Sequence, residues 1–216
     1  MDYKSKTRTA LVTALGAVLL FAFIISAAVV VALHFRPLYY LDIKILHIAE
    51  SSALPPETIR ANYDALIDYN SLWNRGELNF PDFPMSEGGR IHFQEVKAIF
   101  DAFQLLFLFS LGGFLLLRWK AAALRDGRYA RIAGAACFIL TALIGVFVLL
   151  GWDKAFVLFH KLFFANDLWL FDYRTDPVIT ILPDSFFLHE ALLILVLVLL
   201  FGSLALILGD RKIKQT

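Results

Sequence analysis

The sequence predicts an all-α membrane protein, with four transmembrane helices and a cap of short amphipathic helices and loops at one face of the bilayer. Hydrophobic residues make up 59% of the 216 residues, and the mean hydropathy of +0.69 lies far above that of soluble proteins. One globular core could not bury this much apolar surface. Four apolar runs, each of about 18 to 24 residues, match the roughly 30 Å of a hydrocarbon layer at about 1.5 Å per helical residue. We therefore expect a single integral membrane domain over residues 1–216.

The four predicted spans follow from these runs. They cover residues 10–33, 98–117, 132–152 and 191–208. Lys4, Lys6 and Arg8 precede the first run, as basic residues precede the apolar region of a signal peptide. The run has 24 uncharged residues, whereas such a region has roughly 7 to 15. We therefore expect the first helix to be retained in the protein.

Charge differs between the connecting segments and predicts the side of the membrane on which each lies. The N-terminal tail carries +2, residues 118–131 carry +4 and the tail after residue 208 carries +2, whereas segments 34–97 and 153–190 each carry −3. Positive connections tend to remain in the cytoplasm. We therefore expect a multi-pass protein of the cell membrane with cytoplasmic termini and two outer segments, 34–97 and 153–190.

The first outer segment contains a predicted helix that begins at Pro55-Pro56-Glu57. Proline is tolerated in the first turn of a helix, and an acidic residue suits its positive N-terminal end. Apolar residues follow with the spacing of one helix face, namely Ile59, Tyr63, Leu66 and Ile67. This pattern predicts an amphipathic helix lying on the bilayer. Further on, Gly88-Gly89 should weaken any helix before His92, which is expected about one turn above the second span.

The second outer segment opens with a short run, residues 156–164, that is apolar on all sides apart from His160 and Lys161. This composition predicts a short helix buried in the membrane interface and ended by Asn166-Asp167. Residues 172–177 read as a turn, residues 178–182 as a short apolar stretch, and Pro183-Asp184 as the start of the fourth helix.

The candidate catalytic residues are concentrated in the outer segments. All five histidines lie within these segments or at their edges. Two imidazoles at one site would titrate near neutrality, so they could take a proton from a nucleophile and return it to a leaving group. The single cysteine, Cys137, lies within the third span and is expected to be a packing residue. No serine lies in a nucleophile elbow. The nucleophile is therefore expected to belong to the substrate.

Several motifs resemble those of the bacterial lipoprotein intramolecular transacylase family, Lit. The resemblance rests on Phe159-His160-Lys161-Leu162-Phe163-Phe164-Ala165-Asn166-Asp167-Leu168-Trp169, and on Asp176-Pro177-Val178-Ile179 leading to Leu182-Pro183-Asp184-Ser185-Phe186-Phe187. Asn62-Tyr63 with Tyr69, and His92 with Glu95-Val96-Lys97, give further support. The four-span layout extends the resemblance across the whole chain.

This resemblance implies an acyltransferase that acts on diacylated lipoproteins within membrane lipid. The enzyme would move the sn-2 acyl chain of the diacylglyceryl group on the N-terminal cysteine to the α-amino group of that cysteine, at the extracellular face. Because ester and amine are tethered together, no covalent enzyme intermediate, cofactor or metal is needed.

Roles for individual residues follow as hypotheses. His160 is the expected general base and acid, and His92 polarises the carbonyl or shares the proton transfer. Asn166 is the expected oxyanion donor. Asp167 or Asp176 would orient an imidazole, and both remain open. Tyr69 and Trp169 are expected to line the substrate-binding wall.

Other interpretations compete with this one. A non-enzymatic membrane scaffold that binds lipid or protein is the main alternative. An outer-face metalloenzyme using His92, His160 and His189 would lack the close ligand pairs typical of zinc sites, and a haem bundle would need histidines on facing helices. Nucleic acid is excluded as a partner, since no basic aromatic surface is present. We expect His34, His47 and His189 to be boundary or surface residues.

Overall fold

The computed structural model describes residues 3–121, 124 and 126–213, with side chains from residue 6 onward. These residues form helices and loops and contain no strand. In chain order the helices are α1 (Tyr3–His34), α2 (Arg36–Ile45), α3 (Ile48–Ser52), α4 (Pro56–Tyr69), α5 (Glu87–Lys120), α6 (Arg128–Leu149), α7 (Trp152–Phe163), a 3-10 helix (Pro177–Ile181) and α8 (Asp184–Ile213).

Four of the described helices, α1, α5, α6 and α8, are long and apolar enough to cross a membrane. The predicted fold class is therefore confirmed. Large apolar side chains on these helices are exposed, such as Phe109, Ile139 and Leu200, as expected for faces that contact lipid. Helix α6 ends at Leu149, three residues before the predicted end of its span, because Gly151 with φ +138° leaves the helical conformation.

The chain forms two compact units, of which the first comprises Met1–Val30, Phe103–Val146 and Ile194–Thr216. A core of small and branched residues joins its helices, namely Ile24, Ala28, Cys137, Val198 and Ala205. A methyl group added to Gly134 of α6 would lie 2.7 Å from the carbonyl oxygen of Gly202 of α8. The two backbones are therefore in direct contact. Cys137 is fully buried beside them as a free thiol, which agrees with a packing role.

The second unit comprises Val31–Ala102 and Phe147–Leu193 and contains every candidate catalytic residue. The rings of Tyr39 and Tyr63 stack at 3.7 Å, and Phe186 meets them edge-on. The Tyr39 hydroxyl donates a hydrogen bond of 2.7 Å to the carbonyl oxygen of Ile181. These contacts join α2, α4, the 3-10 helix and the start of α8 into one core.

Helix α4 forms where the sequence predicts it, but its apolar face packs against a different surface from the predicted one. It begins at Pro56 and ends at Tyr69, as its sequence pattern predicts. Its apolar face, however, is buried in the core of the second unit and does not lie on the bilayer. The reason is that Tyr39 and Ile181 of neighbouring elements cover this face, which the periodicity of α4 alone could not reveal.

Helix α5 begins at Glu87, so both glycines before His92 are helical. The Ser86 hydroxyl accepts a hydrogen bond of 3.0 Å from the Gly89 amide, which caps the first turn. A methyl group on residue 89 would overlap Oδ1 of Asp176. Glycine at this position therefore permits the close approach of a carboxylate and does not end the helix.

Candidate active site

The candidate site is built from the first turns of α5 and from α7 with the loop that follows it. His92 lies on α5, five residues after the helix begins, and His160 lies near the end of α7. The loop after α7 carries Asn166, Asp167 and Trp169 and reaches Asp176 before the 3-10 helix. The structure thus gathers residues that are up to 84 positions apart in the chain.

The two imidazoles lie face to face. Their ring centroids are 6.2 Å apart and their planes differ by 30°. Phe164 packs against both, at 4.7 Å from the ring of His92 and 5.6 Å from that of His160. Phe171 meets His92 edge-on at 5.4 Å. The predicted pair of histidines is therefore brought together inside an aromatic enclosure.

One nitrogen of His160 is occupied and the other is available. Nδ1 lies 2.8 Å from the carbonyl oxygen of Phe156, and because a carbonyl only accepts, Nδ1 is the donor. In the neutral ring, Nε2 then carries the lone pair. The Trp169 ring lies over the imidazole at 4.6 Å and that of Phe156 at 4.3 Å. Burial lowers the pKa of His160 from the usual 6.5, and the Phe156 carbonyl partly offsets this effect.

His92 is the more enclosed of the two histidines. It is 5% exposed, and its Nδ1 is buried with no hydrogen-bond partner among the described residues. An unpaired buried nitrogen is uncommon in proteins and calls for an explanation. A substrate group that completes this hydrogen bond would supply one.

Asn166 links the loop to α5. Its Nδ2 donates a hydrogen bond of 2.8 Å to Oε1 of Glu95, and its Oδ1 accepts one of 3.0 Å from the amide of Leu168. Asn166 therefore holds the loop in a tight turn and fastens that turn to the helix of His92. Asp167, beside it, is exposed to solvent.

Glu95 is a site residue that sequence reasoning missed. It lies three positions after His92, so both side chains project from the same face of α5. Its Oε1 accepts from Asn166, whereas its Oε2 is buried without a partner in the described part of the chain. The indole N–H of Trp169 is also buried without a partner there. Two signals in the sequence could have identified Glu95, namely its helical spacing from His92 and its place in the motif that His92 shares with it.

Asp176 makes its hydrogen bonds to the backbone at the start of α5 and to a neighbour. Its Oδ1 accepts a bond of 2.8 Å from the Ser86 amide, and its Oδ2 accepts one of 2.7 Å from the Thr175 hydroxyl. Asp176 is 3% exposed. Its carboxylate therefore positions the helix that carries His92 and bonds to neither imidazole.

Tyr69 lies in the hydrophobic core at the end of α4 and makes no ring contact with either imidazole among the described residues. Its ring lies 5.3 Å from the ammonium of Lys97. Lys97 pairs with Asp101 at 3.2 Å and donates to the Ser71 carbonyl at 3.0 Å. Lys97 and Asp101 lie four residues apart on α5, so this pair joins neighbours on one helix face.

His189 was expected at a boundary, and the structure pairs it with a buried carboxylate. Its Nδ1 lies 2.8 Å from Oδ1 of Asp42, which is 1% exposed. His47, in contrast, has 76% of its side chain exposed. No group of three or more histidine, cysteine, aspartate or glutamate side chains is arranged to hold a metal ion within the described ranges.

A profile described as "Lipoprotein intramolecular transacylase Lit" matches residues 14–187. The chain belongs to the Lit family. This match confirms the family that the motifs suggested and the prediction of a membrane acyltransferase that acts on lipoproteins.

Solved structures agree with the Lit assignment. The membrane integral lipoprotein intramolecular transacylase Lit from Bacillus cereus is 31% identical, with a TM-score of 0.88 over 97% of this chain and 98% of that chain. Two structures of the same protein with one histidine replaced by arginine or alanine give TM-scores of 0.87 and 0.81, at 29% and 31% identity. Both alignments cover 99% of this chain, together with 95% of the arginine variant and 97% of the alanine variant.

A further relative of this Lit family member is an uncharacterized protein of Aquifex aeolicus (strain VF5). It is 29% identical over 130 residues, which is 57% of this chain and 56% of that protein. The chain thus matches about half the length of this curated relative.

Proposed function

We propose that this enzyme moves the sn-2 acyl chain from the diacylglyceryl group of a lipoprotein to the α-amino group of the same N-terminal cysteine. The observation that carries the proposal is the pair of facing imidazoles, 6.2 Å apart, with Nε2 of His160 free to act as a base. Membership of the Lit family supports the reaction class. The product is an N-acylated lipoprotein with one acyl chain left on the glyceryl group.

His160 acts as the general base in the proposed reaction. The substrate amine has a reference pKa of about 8, so it must lose one proton to the surrounding water before it attacks. As the nitrogen–carbon bond forms, Nε2 of His160 takes a second proton from the nitrogen. The carbon–oxygen bond to the glyceryl group then breaks, and the same imidazolium returns its proton to the departing oxygen. The acyl transfer itself consumes neither water nor a cofactor.

The remaining groups stabilise and position the reacting atoms. Asn166 is proposed as the oxyanion donor, because Glu95 occupies only one of its two amide hydrogens. The N–H of Trp169, next to His160, has no partner in the described part of the chain and provides a second donor. His92 polarises the carbonyl or shares the proton transfer. We assign Asp176 to positioning His92 through the start of α5, and Tyr69 to the supporting wall.

The site is proposed to lie at the extracellular face in contact with membrane lipid, and to work without a metal. The negative charge of segments 34–97 and 153–190 supports this side of the membrane. Helix α7 exposes Phe159, Leu162 and Phe163. These side chains suit an interfacial helix, so acyl chains could enter the site without leaving the bilayer.

Co-expression with a diacylated lipoprotein tests the proposal. Substrate and product are isomers of equal mass, so the N-terminal peptide is fragmented by tandem mass spectrometry to locate each acyl chain. We expect the wild-type protein to yield the N-acyl form, and His160→Ala and His92→Ala each to lower its rate of formation by about 100-fold or more.

His47→Ala is the matched control, because the His47 side chain is exposed and lies outside the site. It should behave as the wild type does. If wild type and both site variants all yield the unrearranged peptide, the chain acts as a scaffold and the proposed reaction is wrong.

A further inference from the structure

The carboxylate of Glu95 has an acceptor atom that no described residue uses. Its Oε1 is bonded to Asn166, but its Oε2 is buried and receives no hydrogen bond from any residue that the structure describes. A charged acceptor that is buried without a donor is destabilising, and more so than a neutral one. In native proteins such an atom is satisfied by a bound water or ion, or it marks a site with a catalytic role.

The position of Glu95 shows where a group bound to its Oε2 atom would lie. His92 lies three residues earlier on the same helix face, and Asn166 lies six residues after His160 in the chain. The Asn166–Glu95 bond of 2.8 Å therefore places this carboxylate between the two segments that carry the imidazoles. A group bound at Oε2 would be next to the reacting centre.

The cations of the protein near this site are already engaged or point elsewhere. Lys97 of the same helix is bound to Asp101 and to the Ser71 carbonyl. Arg90 pairs with Glu87 and Glu77, and Lys161 is exposed to solvent. Among the ion pairs of the described residues, Glu95 takes part in none.

We propose that Oε2 of Glu95 binds the α-ammonium of the N-terminal cysteine of the lipoprotein substrate. The inference rests on the proposed function and names the subsite that receives the nucleophile. A carboxylate only accepts hydrogen bonds, and an ammonium only donates them, so the two groups are complementary in charge and in hydrogen bonding. Glu95 holds the nitrogen next to the imidazoles until its proton is lost.

The same contact distinguishes substrate from product. Acylation converts the cationic nitrogen into a neutral amide, so the product loses its attraction to Glu95. A lipoprotein that is already N-acylated is therefore a poor ligand, and the product leaves the site.

A binding measurement in the inactive His160→Ala protein tests the subsite without turnover. The ligands are a synthetic S-diacylglyceryl-cysteine peptide with a free amine and its N-acetylated counterpart, in lipid nanodiscs. We expect the protein to bind the free amine about 10- to 100-fold more tightly, which corresponds to one charge-assisted contact. Adding Glu95→Gln should remove this preference and leave the affinity for the acetylated peptide unchanged.

Glutamine is the informative replacement, because its carbonyl oxygen still accepts the bond from Asn166 and only the charge is lost. Glu77→Gln, at a side chain that is 79% exposed, is the matched control and should keep the full preference. If Glu95→Gln weakens both ligands equally, Glu95 only supports Asn166 and the proposal is overturned.

Two outcomes do not depend on the folding of any Glu95 variant. Absence of a preference for the free amine in the protein with native Glu95 would also overturn the proposal. A preference that is present while the co-expression experiment yields no rearranged lipoprotein would leave the subsite in place and refute the acyl transfer alone.

Discussion

The surroundings of His160 determine the pH range in which it can act as a base. Burial lowers the pKa of this imidazole below 6.5, so on raising the pH from acid the neutral, basic form is reached earlier than in an exposed histidine. In the kcat profile, deprotonation of the substrate amine sets the upper part of the acidic limb, and protonation of His160 should add a steeper part whose midpoint lies below pH 6.5 in the wild-type enzyme.

Trp169→Ala should shift that limb. The substitution removes the ring that lies 4.6 Å from the imidazole and admits water, which raises the pKa of His160 toward 6.5. The steeper part of the acidic limb should then move to higher pH, measured as kcat against pH with a synthetic diacyl peptide. Trp73→Ala, at a residue that is 79% exposed, should leave the limb where it is. An unmoved limb in Trp169→Ala would mean that His160 is not the group that titrates.

At the level of single residues, the sequence predicted part of the candidate site. The motifs around His92 and His160 predicted two histidines, and the structure brings them together. Glu95 was missed because a single glutamate on a helix normally faces solvent. Its partner, Asn166, lies 71 positions further along the chain, and such a pairing leaves no trace in local periodicity.

The first turn of α5 is the element on which the placement of His92 depends. Asp176 accepts a hydrogen bond from the Ser86 amide and occupies the space where residue 89 would carry a side chain. We expect Gly89→Ala to destabilise the protein by about 1–3 kcal/mol and to lower activity. The measurement is thermal unfolding of the purified protein, together with the rate of acyl transfer.

Gly112→Ala on the same helix is the control, since nothing lies within 4 Å of the added methyl group. It should not lower stability. Removing the obstructing carboxylate with Asp176→Ala should make the cost of Gly89→Ala smaller than in the protein with Asp176, because the overlap is gone. Additive losses would show that the overlap does not control the first turn.

Helices were easier to predict than the surfaces they cover. Proline and the apolar spacing correctly predicted α4, yet its buried face was assigned to the bilayer because one sequence pattern suits either environment. The glycines at 88 and 89 likewise indicated a weak helix because local sequence does not show which distant groups pack against a helix. Their low helix propensity is visible in the sequence, whereas the carboxylate that requires Gly89 comes from another part of the chain.

The whole molecule has a charge asymmetry that predicts which way it crosses the membrane. Cys137 is fully buried, so the wild-type protein should give no background with a membrane-impermeant maleimide. We expect Glu77→Cys, in the first outer segment, to be labelled in intact cells. Arg128→Cys, in the positive connection, should be labelled only after the membrane is permeabilised. The opposite pattern would reverse the proposed topology and place the site in the cytoplasm.

Composition and apolar length predicted the fold class, because a hydrocarbon layer constrains every span to a similar length. The division of the chain into two compact units was not predicted. Both units are made from segments distant in sequence, so no boundary appears as a linker or a change in composition.

The contact between residue 89 and the Asp176 carboxylate also bears on how this protein can diverge. A side chain at position 89 fits without overlap only when position 176 carries something smaller, and then the Ser86 amide loses its acceptor. The two positions should therefore covary among homologues, with glycine at the first wherever aspartate is found at the second. An alignment in which alanine and aspartate commonly occur together at these positions would contradict this constraint.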